Sequence, residues 1–535
     1  MKVYHSCSSN SYIDISKVDG KPFPGNKIIS LFSGAGGLDI GLEQAGFETA
    51  VCVEIDADCR ETLRKNRAGW KLAEKNGVKN VGNIKNITAS ELLRMAKLKK
   101  GEAALVVGGA PCQPFSNIGK RNGIRDPKDG DLFLDFVRIV KRASPKAFIF
   151  ENVQGITHAA HQEVIDYMKK KLNGLGYSIS YSVLNAADYG VPQKRLRFIL
   201  IGIKGGNKPG FPLPTNFENP TLWNEFIAGF NKRPDIKPKK WLSINQTFSR
   251  ISKAELKRDD CLVMNISEIV KKRMEYIKPG ENFKVLPLNK RPNCWKNGRH
   301  QGGDTFGRLK LNEPSVTIRT AAYNPSKGRY IHPLDNRGLN TIELARIQGF
   351  PSSWKFYCAN KPKLTLVSVG KQIGNAVPPP LAKALGLALK EQIRFKSMHR
   401  ISHSPMSRSE NMSRIRATEN SVEIILRKGL WRKGYRYRKN DKSVFGKPDI
   451  VFKNKKIAVF CDSKFWHGID YLKGGKLPKT NRKFWREKLT RNIERDKIVN
   501  NTLKKEGWTI IRLYDKDIKK NVFKCIRKIE KYLEK

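Results

Sequence analysis

No two of the nine cysteines stand in a C-x-x-C pair; they are scattered at positions 7, 52, 59, 112, 261, 294, 358, 461 and 525. An odd, unpaired set argues against a zinc ribbon and points to a reducing compartment. No apolar run approaches the roughly 18 residues of a membrane-spanning helix, and the polar N-terminus has no signal-peptide profile. A cytoplasmic protein with no membrane partner is expected. There is no fixed-period repeat and no G-x-x-x-x-G-K-[ST] string, so an ATP-driven motor is not indicated. Acidic residues are scarce: 49 Asp and Glu face 103 Lys and Arg, for a net charge of +54. Thermal or salt adaptation adds both signs together, so this one-sided excess points to a polyanionic partner. It runs through the whole chain, because residues 401–535 hold 37 basic and 15 acidic side chains, net +22, leaving +32 for the first 400.

The 535 residues allow about three folding units, and 39% apolar residues are enough to build cores. The apolar run A-A-L-V-V at 103–107 reads as a buried parallel strand and stops at G-G-A-P-C-Q-P-F-S, residues 108–116. Pro111 and Pro114 stiffen the loop on either side of Cys112, at the carboxyl end of a strand, where α/β proteins keep their sites. Upstream, the strand I-I-S-L-F at 28–32 leads into S-G-A-G-G at 33–37 and a helical pattern with Leu38, Leu42 and Ala45. A strand, glycine turn and helix bind nucleotide-like ligands at the helix N-terminus. The next strand, 49–53, ends at Glu54, placed to accept hydrogen bonds from ribose hydroxyls. A dinucleotide fingerprint wants a third glycine at position 39; Asp39 stands there, which lowers the dehydrogenase reading.

A further buried strand, A-F-I-F at 147–150, delivers Glu151, whose apolar flanks can hold a carboxylic acid protonated by desolvation. The run Y-G-V-P-Q-K-R-L-R at 189–197 enters the strand 198–202, and period-two alternation puts Gln193, Arg195 and Arg197 on one face. From 205 to 336 the pattern breaks into proline-, glycine- and aromatic-rich pieces, a second lobe of loops and short strands. Then T-I-E-L-A-R-I-Q-G-F-P at 341–351 reads as a capped helix, and G-K-Q-I-G-N-A-V-P at 370–378 places Asn375 and Val377 at a helix start. Residues 1–26, polar with two glycines and two prolines, read as a loosely ordered lead-in. Taken singly, each string has an ordinary meaning as a turn, a cap or a solvated strand end.

Together and in this order, the strings over residues 27–395 resemble the DNA cytosine carbon-5 methyltransferases. The resemblance implies an α/β, Rossmann-like S-adenosylmethionine-dependent methyltransferase domain (27–204 and 337–395) with a small irregular target-recognition lobe (205–336). It implies cofactor contacts at Phe32, Ser33, Gly34, Gly36, Gly37, Glu54, Asn83, Pro111, Asn375 and Val377. Asn83 departs from the family, which usually has an aspartate there; an amide both donates and accepts. Cys112 becomes the nucleophile that adds to carbon 6 of cytosine, with Glu151 on ring nitrogen 3 and Arg195 on the neighbouring carbonyl. The partner implied is double-stranded DNA with the target base flipped out, bound by a monomer in a prokaryotic nucleoid.

Residues 396–410 are polar and serine-rich, a linker, and 411–535 form another unit. A helix is expected over 419–430 with Val422, Ile425 and Leu426 on one face and Glu423 beside them. A hairpin follows, G-K-P-D-I-V-F at 446–452 and K-I-A-V-F at 456–460, then C-D-S-K-F-W-H-G at 461–468. A long helix carries Trp485, Leu489 and Ile493 at four-residue spacing, with Asn492, Glu494, Arg495 and Asp496, and Gly507 ends it before the strand 508–513. Carboxylates at the ends of paired strands converge as an octahedral magnesium requires. The order resembles the PD-(D/E)xK nucleases, and the strings G-x-P-D, F-W-H and N-x-E-R-D resemble the very-short-patch repair endonucleases, which nick beside T:G mismatches. That resemblance makes Asp449 a magnesium ligand, His467 the general acid or base, Asp496 its orienting partner and Glu423 an outer carboxylate. The second metal contact is either the backbone carbonyl of Cys461 or, on a literal D-x-K reading, Asp462 with Lys464; both put Asp462 near the metal. No zinc is expected, because Lys464, Ile469 and Tyr471 stand where the repair enzymes carry zinc ligands. Three readings of the unit stand at this point: a T:G nickase, a restriction nuclease for the unmethylated site, and a non-catalytic basic DNA-binding module.

Overall fold

The computed structural model describes residues 12–78, 80–110, 132–157, 162–206, 208–227, 238–296, 302–359, 363–401, 421–441, 443–462 and 482–534. The chain divides into two compact units, Met1–Ser402 and His403–Lys535. In the first, a seven-stranded sheet is built from β2 (Lys27–Leu31), β3 (Glu48–Val53), β4 (Lys71–Leu72), β5 (Leu105–Gly109), β6 (Ala147–Val153), β7 (Tyr177–Asn185) and β8 (Leu196–Lys204), in the order β4-β3-β2-β5-β6-β8-β7. The first five are parallel, and β8 runs antiparallel to both of its neighbours. Parallel strands are buried on both faces, which is why their runs are continuously apolar. Leu105 and Val107 face one core and Val106 the other.

The first core is covered by α1 (Gly37–Gln44) and α8 (Pro379–Ile401). They cross so closely that a Cβ at Gly41 would lie 2.2 Å from the Pro379 carbonyl oxygen. The second core is covered by α3 (Ala89–Met95), α4 (Leu132–Ala143) and α5 (Gln162–Asn173), through Leu92, Phe136 and Met168. A third core joins α2 (Ala57–Asn66), α6 (Thr341–Gln348) and α7 (Leu366–Asn375) to the 309–330 segment. This wrapping leaves the carboxyl ends of β2, β3, β5 and β6 along one edge, at Phe32, Glu54, Ala110 and Glu151.

Three expectations are corrected here. Residues 12–26 are not a loose lead-in: β1 (Tyr12–Ile13) pairs with β9 (Phe211–Pro212), Ile15 is buried, and the fully buried Lys390 of α8 donates to Asp19 Oδ1 (2.6 Å) and to the Asp19 and Lys21 carbonyls (both 2.7 Å). A buried ammonium requires acceptors, and this segment supplies them. Asn375 ends α7 instead of starting a helix, because the run V-P-P-P at 377–380 interrupts helical backbone before α8 begins at Pro379. Helix α8 itself continues to Ile401, into the stretch expected to be linker. The irregular lobe has its own small core around Met274, Phe283, Trp295 and Phe306. Buried Arg308 holds it by donating to the carbonyls of Met274 (2.7 Å), Ile277 (2.6 Å) and His332 (2.8 Å).

The second unit is a four-stranded sheet of β10 (Arg438–Lys439), β11 (Ile450–Phe452), β12 (Ile457–Asp462) and β13 (Thr509–Tyr514), in chain order. The β11–β12 hairpin is antiparallel as expected, and β12 pairs with β13 in parallel. Helices α9 (Ser421–Arg432) and α11 (Val522–Leu533) cover one face, and α10 (Arg482–Lys505) covers the other through Val499 and Leu503. The inward face of α9 differs from the expected one: Ile425 is exposed, whereas Glu423, Leu426 and Leu430 are buried. The ion pair between Glu423 and Arg427, one turn apart, makes the burial of that carboxylate tolerable. Among the described residues, no helix is long and apolar enough to cross a membrane.

Candidate functional site

The loop after β2 is held open by unusual backbone. Phe32 has φ 56°, a left-handed conformation uncommon for an aromatic residue, and Gly34 and Gly36 follow at 55° and 83°. Two hydrogen bonds fix it: the Ser33 N–H donates to the Val53 carbonyl (3.2 Å) and the Gly34 N–H to Glu54 Oε2 (2.7 Å). The other oxygen of Glu54 accepts from the Asp56 N–H (2.8 Å). Burial raises the Glu54 carboxyl above its ordinary value, against the pull of these two donors. Gly82 lies flat on Glu54, since a Cβ there would be 1.9 Å from the Glu54 carbonyl oxygen. That contact brings Asn83 to the same end of the sheet, where its side chain caps a short 3-10 turn by accepting from the Lys85 N–H (3.0 Å). Val377 closes the opposite wall, for a Cβ at Gly37 would stand 2.3 Å from its carbonyl oxygen. The residues 32–37, 54, 83 and 377 therefore gather at one end of the sheet, and Asn375 is exposed. A buried carboxylate and closely approaching glycine backbone thus stand together at this end of the sheet.

Asp39, noted in the sequence only as a missing glycine, is fully buried in α1. Burial pushes its carboxyl up to about 7. The fold favours the protonated acid, so the stability this group contributes is complete below its unfolded value near 4 and is lost as pH rises through about 7. Asp39→Asn is expected to gain in melting temperature relative to wild type as pH rises from 4 to about 7, with a constant difference above that. A wild-type-minus-variant difference independent of pH, in paired calorimetric scans, would contradict this.

Pro111 and Cys112 lie outside the described residues, but the root of their loop is fixed. A Cβ at Gly109 would come within 2.6 Å of Glu151 Oε2, and Asn152 Nδ2 donates to the Ala110 carbonyl (3.3 Å). Glu151 is buried, which raises its carboxyl, and the nearby guanidiniums of Arg197 and Arg195 pull it back down. The group paired with it is Arg197, whose Nε stands 2.9 Å from Glu151 Oε1. Arg195, expected to reach a substrate carbonyl, is placed elsewhere. It is 1% exposed, and its guanidinium donates to the carbonyls of Ile318 (2.8 Å), Gly374 (2.8 Å) and Ala376 (3.2 Å). The reason is local: β8 begins only at Leu196, so strand alternation does not extend back to Arg195 or Gln193. Those two residues instead clamp the 315–318 segment, with Gln193 Oε1 accepting from the Ile318 N–H (2.9 Å). The string Q-K-R-L-R offers two arginines, and the one beside Glu151 is Arg197, which lies within β8.

In the second unit, Asp449 leads into β11, and its Oδ2 accepts from the Cys461 N–H (2.7 Å). Burial, followed by the charges of Glu423 and Asp462, pushes the Asp449 carboxyl up to about 6. Asp462 is engaged by an arginine. It is 3% exposed and pairs with Arg512 Nη1 at 2.8 Å, and Arg512 Nη2 also reaches Asp496 Oδ1 at 3.3 Å. Arg512 lies over the Phe460 ring, 4.7 Å from its centroid, at the wall of a cleft of about 430 Å³ that Asp496 also lines. The aspartate of the literal D-x-K reading is thus paired with an arginine. No cluster of three or more His, Cys, Asp or Glu side chains suited to a metal occurs among the described residues, and His467 and Lys464 lie outside them.

Comparison with known proteins adds an independent observation. Residues 26–391 match the family model of the C-5 cytosine-specific DNA methylases, and residues 401–473 match that of the DNA mismatch endonuclease Vsr. Type II methyltransferase M.PspPI of a Psychrobacter species is 33% identical over 376 residues, 69% of this chain and 80% of that protein. Type II methyltransferase M.AquIA of a Picosynechococcus species is 39% identical over 257 residues, 46% of this chain and 97% of that protein. Among solved structures, the Dnmt2 methyltransferase of S. pombe aligns with 69% of this chain and 99% of its own, at 15% identity and a TM-score of 0.43.

Proposed function

The chain belongs to the C-5 cytosine-specific DNA methylase family through residues 26–391, and from that premise we propose that Cys112 is its nucleophile and that Glu151 and Arg197 hold the target base. The observation that carries this is the contact between the root of the Cys112 loop, at Gly109, and a Glu151 carboxylate already paired with Arg197. A carboxyl and a guanidinium side by side match ring nitrogen 3 and the neighbouring carbonyl of cytosine. Hydrogen bonds there draw electron density from the ring, so that the Cys112 thiolate can add to carbon 6. Phe32, Ser33, Gly34, Gly36, Gly37, Glu54, Asn83 and Val377, together with Asn375 and with Pro111 of the Cys112 loop, would hold S-adenosylmethionine. When bound, it supplies the methyl group as an electrophile for carbon 5. Loss of the carbon-5 proton then restores the ring double bond and expels Cys112 as a thiolate, a good leaving group. A duplex with 5-fluorocytosine at the target is expected to trap wild-type protein as a denaturant-resistant adduct, because fluorine cannot depart as the proton does. Cys112→Ser should form none; methylation by that variant at near wild-type rate would overturn the assignment.

The unit 411–535 is, in the same proposal, a nuclease that nicks T:G mismatches on the thymine strand; the match to the mismatch endonuclease model supports it. Deamination of 5-methylcytosine yields thymine, a normal base recognisable only by its mispairing, so a methyltransferase creates the lesion that such a nickase answers. The donor set suits magnesium at Asp449 and the Cys461 carbonyl. In an extended strand a residue's carbonyl faces the same side as its N–H, which here meets Asp449, and the charges of Glu423 and Asp462 are felt at that carboxyl. When bound, the ion would supply a Lewis acid for the phosphate. His467 would move the proton, oriented by Asp496, whose carboxylate Arg512 holds in place.

A further inference from the structure

A cleft of about 400 Å³ opens between α3 and α4, lined by Thr88, Ser90, Lys100, Arg138, Lys141 and Arg142. Its wall charges are not balanced. Arg138 is offset by Asp135 (2.9 Å), and Glu91 folds back onto Thr88 Oγ1 (2.7 Å). Lys100, Lys141 and Arg142 are exposed and make no ion pair among the described residues. Three uncompensated cations around a concavity repel one another, and a bound polyanion relieves that repulsion. The cleft is also remote from the chemistry along the sheet. The Gly101 N–H donates to the Ala143 carbonyl (2.9 Å), which ties the Lys100 turn to the end of α4, at the amino ends of β5 and β6. Glu151 and the root of the Cys112 loop lie at the carboxyl ends of the same strands.

We propose that this cleft grips the phosphate backbone of a second DNA segment, distinct from the one whose cytosine occupies the active site. The inference rests on the reading of the first unit as a DNA methyltransferase, and one experiment separates the two. Full-length protein is first captured on a 5-fluorocytosine duplex, which reports on that reading alone. Binding of a second, labelled duplex without a target is then measured across a range of salt concentrations, for wild type and for Lys100→Gln/Lys141→Gln/Arg142→Gln. Each phosphate contact contributes about 0.9 to the slope of log K against log salt, so the triple variant should lose about 2.7. Single variants should each lose about 0.9, and S-adenosylmethionine binding should stay at the wild-type level, which excludes misfolding. An unchanged slope overturns the proposal. So does displacement of the second duplex by millimolar inorganic phosphate at constant ionic strength, which would make this a small-anion site.

Discussion

Replacing Glu151 by glutamine is expected to lower kcat for methyl transfer by a factor on the order of 10² to 10⁴, the usual range for a positioned acid. The amide keeps the size of the side chain but cannot hold the proton that ring nitrogen 3 requires, and it breaks the 2.9 Å ion pair with Arg197. Arg197→Ala should cost about 10² to 10³, as for removal of one donor aimed at developing charge. Arg195→Ala should behave differently. It strips three backbone carbonyls of their donor at the junction of α7 with the 315–318 segment, so the expected loss is stability, about 1–3 kcal/mol. Single-turnover methylation with thermal melting of each variant separates the roles. An active Arg197→Ala enzyme beside a stable, inactive Arg195→Ala enzyme would reverse them.

Asp449→Asn is expected to abolish DNA cutting while making the second unit more stable without metal. The native carboxyl sits at about 6 because of burial and two neighbouring carboxylates. The fold therefore favours the protonated acid, and its stability contribution is lost as pH rises from the unfolded value near 4 through about 6. At pH 7 the ionised group is a liability that only a cation corrects, and asparagine removes it. A gain of ~1 kcal/mol corresponds to a few degrees in melting temperature for a unit of this size. Cutting by the asparagine variant, or a lower melting temperature without metal, would remove Asp449 from the metal site.

Much of this was legible because it rests on short-range patterns. The apolar runs at 28–32, 103–107 and 147–150 are strands for the reason the sequence suggests, burial on both faces, and each delivers its loop to the same edge. Glu54 lies at the end of the strand that the sequence suggests, because the apolar run of 49–53 fixes where that strand stops. What stayed hidden depends on partners far away in the chain. Lys390 looks like a surface lysine until residues 19–21 close over it. The choice between Arg195 and Arg197 turns on where β8 starts, and the engagement of Asp462 turns on Arg512, fifty residues on. The inward side of α9 was misread because a buried Glu423–Arg427 pair imitates a polar face.

The most direct test asks whether one chain makes a mark and also answers the damage that mark invites. Bisulfite sequencing of DNA from a host expressing the protein gives the methylated sequence. A duplex carrying T:G at that cytosine is then offered to the full chain with magnesium and without zinc. The expected result is methylation lost in Cys112→Ser, and a nick on the thymine strand within the same sequence, lost in Asp449→Asn. Cutting of matched, unmethylated DNA instead would make the second unit a restriction nuclease, and no cutting of either duplex would leave it a DNA-binding module.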